Sequence, residues 1–219
     1  MEDDNPSAPI AKLQPLAMNG GHFNIKDNEK FLEALSLLKE SLFDDGASMF
    51  CSDNLITWNK NLSFLRDERF LQILADPKAG EVDQSIIWRT YILLYFANLS
   101  LDLDGDFVEC GTYEGHTASW IFQDCNLENS GKQFWLYDLF EWTVGDQHPK
   151  LAELSNPELY KKVASRFSQY PNVNIIKGSV PASFSEGFPD EIAFCHIDMN
   201  HHVPEAGALQ AVLPKLVKG

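Results

Sequence analysis

The chain has 219 residues, 44% of them hydrophobic and 22% charged, enough for one sizeable soluble domain with its own core and room for a small appendage. Its formal net charge of −15 repels phosphate backbones and argues against nucleic acid as a partner. Such acidity ordinarily solubilises a surface; its functional use is to attract a cationic ligand.

Residues 1–24 begin MEDDNPSAPIAKLQ, are polar and Pro/Gly-punctuated, and lack the basic region and apolar run of a secretory leader, so a flexible N-terminal arm is expected. From Asn28 the pattern turns helical, with Phe31, Leu32, Leu35, Leu38 and Leu42 largely on one stripe. A second helix is expected over 62–75, stopped by Pro77 and Gly80, and a third over 83–99. The apolar run 86–103 is broken by Arg89, Asn98 and Asp102, which fits a buried helix and the connection after it and not a membrane span. Residues 25–100 therefore read as a mainly helical cap.

From residue 101 to 219 the character changes. Apolar strand candidates recur at 105–110, 133–138, 173–177 and 192–198, with helix-compatible stretches at 117–126, 156–169 and 205–216. This alternation predicts an α/β fold, a Rossmann-like parallel sheet with helices on both faces. The four cysteines, Cys51, Cys110, Cys125 and Cys195, form no CxxC pair, so free buried thiols in a reducing, cytoplasmic setting are expected.

Open parallel sheets bind ligands outside the carboxyl ends of their strands. Four expected strand ends carry suggestive residues: Glu109 with the turn from Gly111 to Gly115, Asp138 after FWLYD, Gly178-Ser179-Val180, and Asp198 in CHIDMN. A lone Asp after a strand is usually a turn former or helix cap. His196, inside an apolar run, reads as a satisfied buried histidine, and His201 and His202 as an exposed turn before Pro204. It is the occurrence of four such ends in order that points to a cofactor. The turn GTYEG lacks the middle glycine of a dinucleotide fingerprint, and no GK[ST] phosphate loop follows a strand. A nucleoside without phosphates that carries a positive group, such as S-adenosylmethionine, fits better.

The segments DFVECGTYEGHTA, LYDLFEW, NVNIIKGSVPASF and HIDMNHHVPEAGALQAVLPKLVKG, within roughly residues 88–219, resemble the class I S-adenosylmethionine-dependent methyltransferases, and most closely the macrocin O-methyltransferase (TylF-type) family. The resemblance implies methyl transfer to a hydroxyl of a sugar or natural product. Glu109, Gly111 and Thr112 would border the methionine portion of the cofactor, with Tyr113 covering it and Gly115 closing the turn. Thr117 would bond its carboxylate, and Asp138 the ribose hydroxyls, beside Leu139 and Phe140. Gly178, Ser179 and Val180 would flank the adenine, and Asp198 would ligate a divalent metal, usually Mg2+. The 142–157 loop would help shape the acceptor pocket, and association into a homo-oligomer follows from the same likeness.

Two departures stand out. Asn200 occupies the position where some members place a second acid, leaving His201 or His202 as the candidate base, and the family's following strand with its Asp-Asp pair would lie beyond Gly219. A truncated, weakly active chain, or a non-catalytic binding module on the same scaffold, is the alternative expectation. An NAD-dependent oxidoreductase is disfavoured by the glycine spacing.

Overall fold

The computed structural model describes residue 23 and residues 25–42, 48–78, 80, 85–142 and 156–219. The expected arm over 1–24, residue 23 apart, lies outside the described residues, as do most of the 142–157 loop and the first two positions of the expected 83–99 helix. The chain divides into two compact units, Met1–Ile92 and Leu93–Gly219. The division falls inside a helix and not at the end of it, eight residues before the boundary expected at residue 100.

The first unit is not wholly helical. Helix α1 (Asn28–Leu42) follows Asp27, whose carboxylate accepts the Lys30 N–H at 3.1 Å. Of its apolar stripe only Leu35 is buried, while Leu32, Leu38 and Leu42 are exposed. Strands β1 (Met49–Ser52) and β2 (Leu55–Trp58) then form an antiparallel hairpin that the sequence reading lacked. Asp53 and Asn54 at its tip have φ of 51° and 58°, the positive values that match the twist of two-residue hairpins.

The helix expected over 62–75 is two pieces, a 3-10 turn (Ser63–Arg66) and α2 (Glu68–Leu74). Asp67 between them is extended, and its carboxylate caps the N–H groups of Arg69 and Phe70 at 3.0 and 3.2 Å. That cap satisfies donors that a continuous helix would have bonded itself. Asp53 also receives the Arg89 N–H at 2.8 Å in the first turn of α3 (Ile87–Leu99). The unit's core is aromatic: Phe64 contacts Phe50, Trp88 and Tyr91 with ring centroids 5.1–5.6 Å apart.

The second unit holds a four-stranded sheet, all parallel, in the order β5-β4-β3-β6. The strands are β3 (Asp106–Cys110), β4 (Phe134–Asp138), β5 (Val173–Lys177) and β6 (Ile192–Ile197), each within one residue of its expected bounds. Helices α4 (His116–Asp124) and α5 (Leu159–Phe167) connect β3 to β4 and β4 to β5. Both steps run the same way along the sheet, so right-handed crossovers put α4 and α5 on one face. Helix α6 (His202–Val212) covers the other, where its Ala208 and Val212 pack with Val108, Cys110, Tyr137 and Ile192. On the α4 side Phe107 meets Phe134 and Phe194 at centroid distances of 6.2 and 5.2 Å. The period of two therefore sends Glu109 to that same face.

Beyond α6, a 3-10 turn (Leu213–Lys215) leads to Leu216, which bridges Ile192 in parallel, and the Val217 N–H donates to Ile192 O at 3.1 Å. The four cysteines are free. No helix among the described residues is long and apolar enough to cross a membrane.

Candidate functional site

The sheet order sets the carboxyl ends of β5, β4, β3 and β6 side by side, at a strand spacing of about 4.8 Å. The turn after β3 is built on Gly111, at φ 96°. A Cβ there would lie 1.9 Å from the Asp198 carbonyl oxygen, so only glycine fits. The Gly111 N–H donates to Tyr137 O at 2.8 Å, and the Asp198 N–H donates to Cys110 O at 2.9 Å. Gly115, at φ 74°, closes the turn and stands at the N-cap of α4, with Thr117 one position into its first turn. Thr112 is buried, and its hydroxyl has no hydrogen-bond partner among the described residues.

Asp138 ties this turn to the next strand. Its Oδ2 accepts the Tyr113 N–H and its Oδ1 the Phe140 N–H, both at 2.7 Å. Tyr113 and Phe140 both have positive φ, 48° and 56°, held by these two bonds. The residue is thus a turn former, as a lone strand-end Asp usually is. It also keeps lone pairs for further donors, because each carboxylate oxygen accepts more than one bond. Burial raises its pKa above the ordinary value, against the opposing pull of the backbone N–H groups.

Glu109 is only 1% exposed. Its Oε1 lies 3.0 Å from His196 Nδ1, across the β3–β6 register that pairs the two residues. His196 is thus the satisfied histidine the sequence suggests, although the identity of its partner could not be read from a separation of 87 residues. The second oxygen, Oε2, is buried with no hydrogen-bond partner among the described residues. Burial raises the Glu109 pKa; His196 opposes the rise, and the charges of Asp138 and Asp198 add to it. Neighbouring acids held out of water resist ionising together, and a positive group placed among them would relieve that cost.

At the end of β5 the Gly178 N–H donates to Asp138 O at 2.9 Å, linking the third strand end to the second. Val180, expected to flank a base, turns its side chain into the apolar cluster of Val108, Cys110 and Ala208, so any border it gives a ligand is main chain. Ser179 is exposed. Its carbonyl accepts the Ser183 N–H at 2.9 Å, which folds the segment back over Gly178.

Past β6 the structure departs from expectation. His201, expected to accept a proton, is the N-cap of α6: its Nδ1 accepts the Val203 N–H at 3.2 Å. Assigned from that bond, the neutral tautomer carries its proton on Nε2 and is a donor there. Asn200 is exposed, at φ 57°. No group of three or more His, Cys, Asp or Glu among the described residues is placed to hold a metal. Magnesium prefers six oxygens, and Asp198 offers a single carboxylate, so this donor set does not fit the expected ion. For S-adenosylmethionine the fit is good: the buried, unpartnered Glu109 Oε2 and Thr112 Oγ1 and the Asp138 carboxylate are spaced over adjacent strand ends.

A polar group that sequence reasoning missed lies behind the turn. Glu114 contacts Lys162 Nζ at 3.1 Å and His116 Nε2 at 3.2 Å, and Arg166 reaches the same His116 nitrogen at 3.3 Å. These contacts clamp α5 to the start of α4. Lys162 and Arg166, four apart on one helix face, were the only signal for it.

Residues 108–219 match the family described as a methyltransferase domain. No curated protein sequence matches the chain. Among solved structures, the O-methyltransferase NovP is 18% identical with a TM-score of 0.48, over 61% of this chain and 62% of that one. The chain thus spans less than two thirds of NovP's length. The calicheamicin methyltransferase CalS11 is 14% identical with a TM-score of 0.46, over 68% and 72%. The Podospora anserina methyltransferase PaMTH1, solved with SAH bound, is 11% identical with a TM-score of 0.42, over 85% and 66%.

Proposed function

We propose, on the premise that this chain belongs to the methyltransferase-domain family through residues 108–219, that it binds S-adenosylmethionine across the ends of β3, β4 and β5 and methylates a hydroxyl of a sugar or natural product. The TylF-type resemblance of its motifs supports the choice of oxygen acceptor. The observation that carries the cofactor is the convergence of Glu109, Thr112 and Asp138 on adjacent strand ends around the Gly111–Gly115 turn, with Glu109 Oε2 left without a partner among the described residues.

When bound, the cofactor supplies an electrophilic methyl group on a sulfonium, which passes to the acceptor oxygen as the carbon–sulfur bond breaks. The protein's part is mostly placement. Glu109 offers its free oxygen to the positive end of the ligand, with His196 holding the other. Thr112 Oγ1 and the Thr117 hydroxyl are the donors for its carboxylate. Asp138, already fixed by two backbone N–H groups, takes the ribose hydroxyls. Asp198, at the neighbouring strand end, is the group to accept the hydroxyl proton at its carboxylate. His201 Nε2–H orients the acceptor as a donor.

Calorimetric titration with S-adenosylmethionine, S-adenosylhomocysteine and NAD tests the cofactor: the first two bind and NAD does not. Binding of NAD alone, or of none of the three, overturns the reading. Asp198→Asn is expected to lower kcat about 10²–10⁴-fold while leaving S-adenosylhomocysteine affinity unchanged. An equal loss of affinity would move Asp198 from proton transfer to binding.

One observation favours a second reading, a non-catalytic binding module: His201 spends its basic nitrogen as a helix cap. Methyl transfer to any hydroxylated acceptor rules that reading out.

A further inference from the structure

Helix α3 has a second apolar face that the fold leaves uncovered. Ile87, Leu94 and Ala97 are buried on one side of it. On the other side Tyr95, Phe96 and Leu99 are 51%, 52% and 57% exposed. With the half-buried Ile92 they stand at the i, i+3, i+4, i+7 spacing of a single helical stripe. The rings of Tyr95 and Phe96 meet edge to face, with centroids 5.5 Å apart. Exposed apolar side chains scattered singly are normal, but a contiguous stripe of large ones marks a surface made for contact. The exposed leucines of α1 form no such stripe, because Glu33, Lys39 and Glu40 stand among them.

Charge narrows what covers the stripe. The chain carries a net −15, so two copies repel wherever their acids meet. Residues 90–101 carry no charge at all. Charges flank this stretch on both sides and are opposite, Arg89 before it and Asp102 after it, and both are exposed. Arg89 Nη2 lies 3.5 Å from Asp53 Oδ1, a contact that does not exhaust the five N–H donors of a guanidinium. Past Leu99 the chain keeps turning, with the Leu101 N–H on Asn98 O at 3.2 Å and the Leu103 N–H on Ser100 O at 3.3 Å, so Asp102 stays close to the helix end. An antiparallel pairing of two copies, with a two-fold axis between Tyr95 and Phe96, sets Ile92 of each against Leu99 of the other. The same register sets Arg89 of each against Asp102 of the other. A parallel pairing would instead bring each charge onto its own like. The stripe is therefore complementary to itself, as an interface about a two-fold axis requires.

We infer that this face of α3 is the interface between two copies of the chain, joined antiparallel with Tyr95 and Phe96 at the axis and an Arg89–Asp102 ion pair at each end. Arg89, Ile92, Tyr95, Phe96, Leu99 and Asp102 are few beside the roughly 20–30 residues a side of a standard interface, so the dimer is a weak one that dissociates on dilution.

Sedimentation velocity of the full chain, from about 1 μM to about 500 μM, is the test. The wild type is expected to pass from monomer to dimer and no further, because a two-fold contact closes on itself. Phe96→Gln and Leu99→Gln each weaken the dimer at least about tenfold. Both leave the thermal midpoint of the dilute monomer at the wild-type value, since the side chains are exposed in it. The charge arm compares Asp102→Lys with Asp104→Lys. Both positions are exposed and both changes alter the net charge equally, but only Asp102 faces Arg89 in this register. Asp102→Lys is expected to dimerise about tenfold more weakly than Asp104→Lys, the axis repeating each lost ion pair. A wild-type chain that stays monomeric throughout, its stripe covered by some other protein or by none, overturns the inference. A dimer indifferent to Phe96→Gln and Leu99→Gln, or weakened equally by the two lysine changes, overturns it as well.

Discussion

Glu109 holds a carboxylate almost wholly out of water with one partner, and its raised pKa has a consequence for stability. Between the ordinary glutamate value and the raised folded value, the unfolded chain has lost the proton that the folded chain keeps. Folding then binds a proton, so stability falls as pH rises through that window. Glu109→Gln removes the titration, and its ligand-free stability is expected to be flatter with pH above the ordinary carboxylate range. An unaltered slope in denaturant midpoints measured against pH would reject this account. Asp138 makes a different prediction, since both its oxygens hold backbone N–H groups. Asp138→Ala orphans two donors and is expected to cost about 1–3 kcal/mol of stability as well as more than tenfold in cofactor affinity. Chemical denaturation and calorimetry read the two losses separately.

At the scale of elements, the two turn glycines differ in what surrounds them. A Cβ on Gly111 runs into backbone at 1.9 Å, whereas one on Gly115 meets the ring of Phe167 at 3.2 Å, a side chain that can yield. Gly111→Ala is expected to cost more than about 3 kcal/mol and Gly115→Ala about 1–2 kcal/mol, the cost of a left-handed alanine. Thermal unfolding of the two variants gives the order. The sheet strands were legible in the sequence because each is a short apolar run bounded by turn residues; residues 173–177 match β5 without adjustment. The β1–β2 hairpin was not, because four-residue strands give period two too little length to show, although the Asp53-Asn54 pair is its signal. Asp67 shows another limit: whether an Asp interrupts a helix or rides on it depends on which N–H groups its carboxylate reaches. The strand-end acids could be read individually. The Glu109–His196 pairing could not, since it depends on which strands are neighbours.

For the molecule as a whole, the proposed reading gives the acids at the strand ends to an organic cation, and no group of three or more metal-ligating side chains stands among the described residues. Chelation with EDTA is therefore expected to leave S-adenosylhomocysteine affinity unchanged, and a loss on chelation would show that an ion takes part in binding. The same edge has a dynamic side. Asp198 N–H to Cys110 O, Gly111 N–H to Tyr137 O, Tyr113 N–H to the Asp138 carboxylate and Gly178 N–H to Asp138 O form one belt across all four strands. Amides joined this way exchange with solvent as a group. Deuterium uptake at residues 111, 113, 178 and 198 should slow together when a ligand touches any single strand end, so that the belt reports occupancy along its full length.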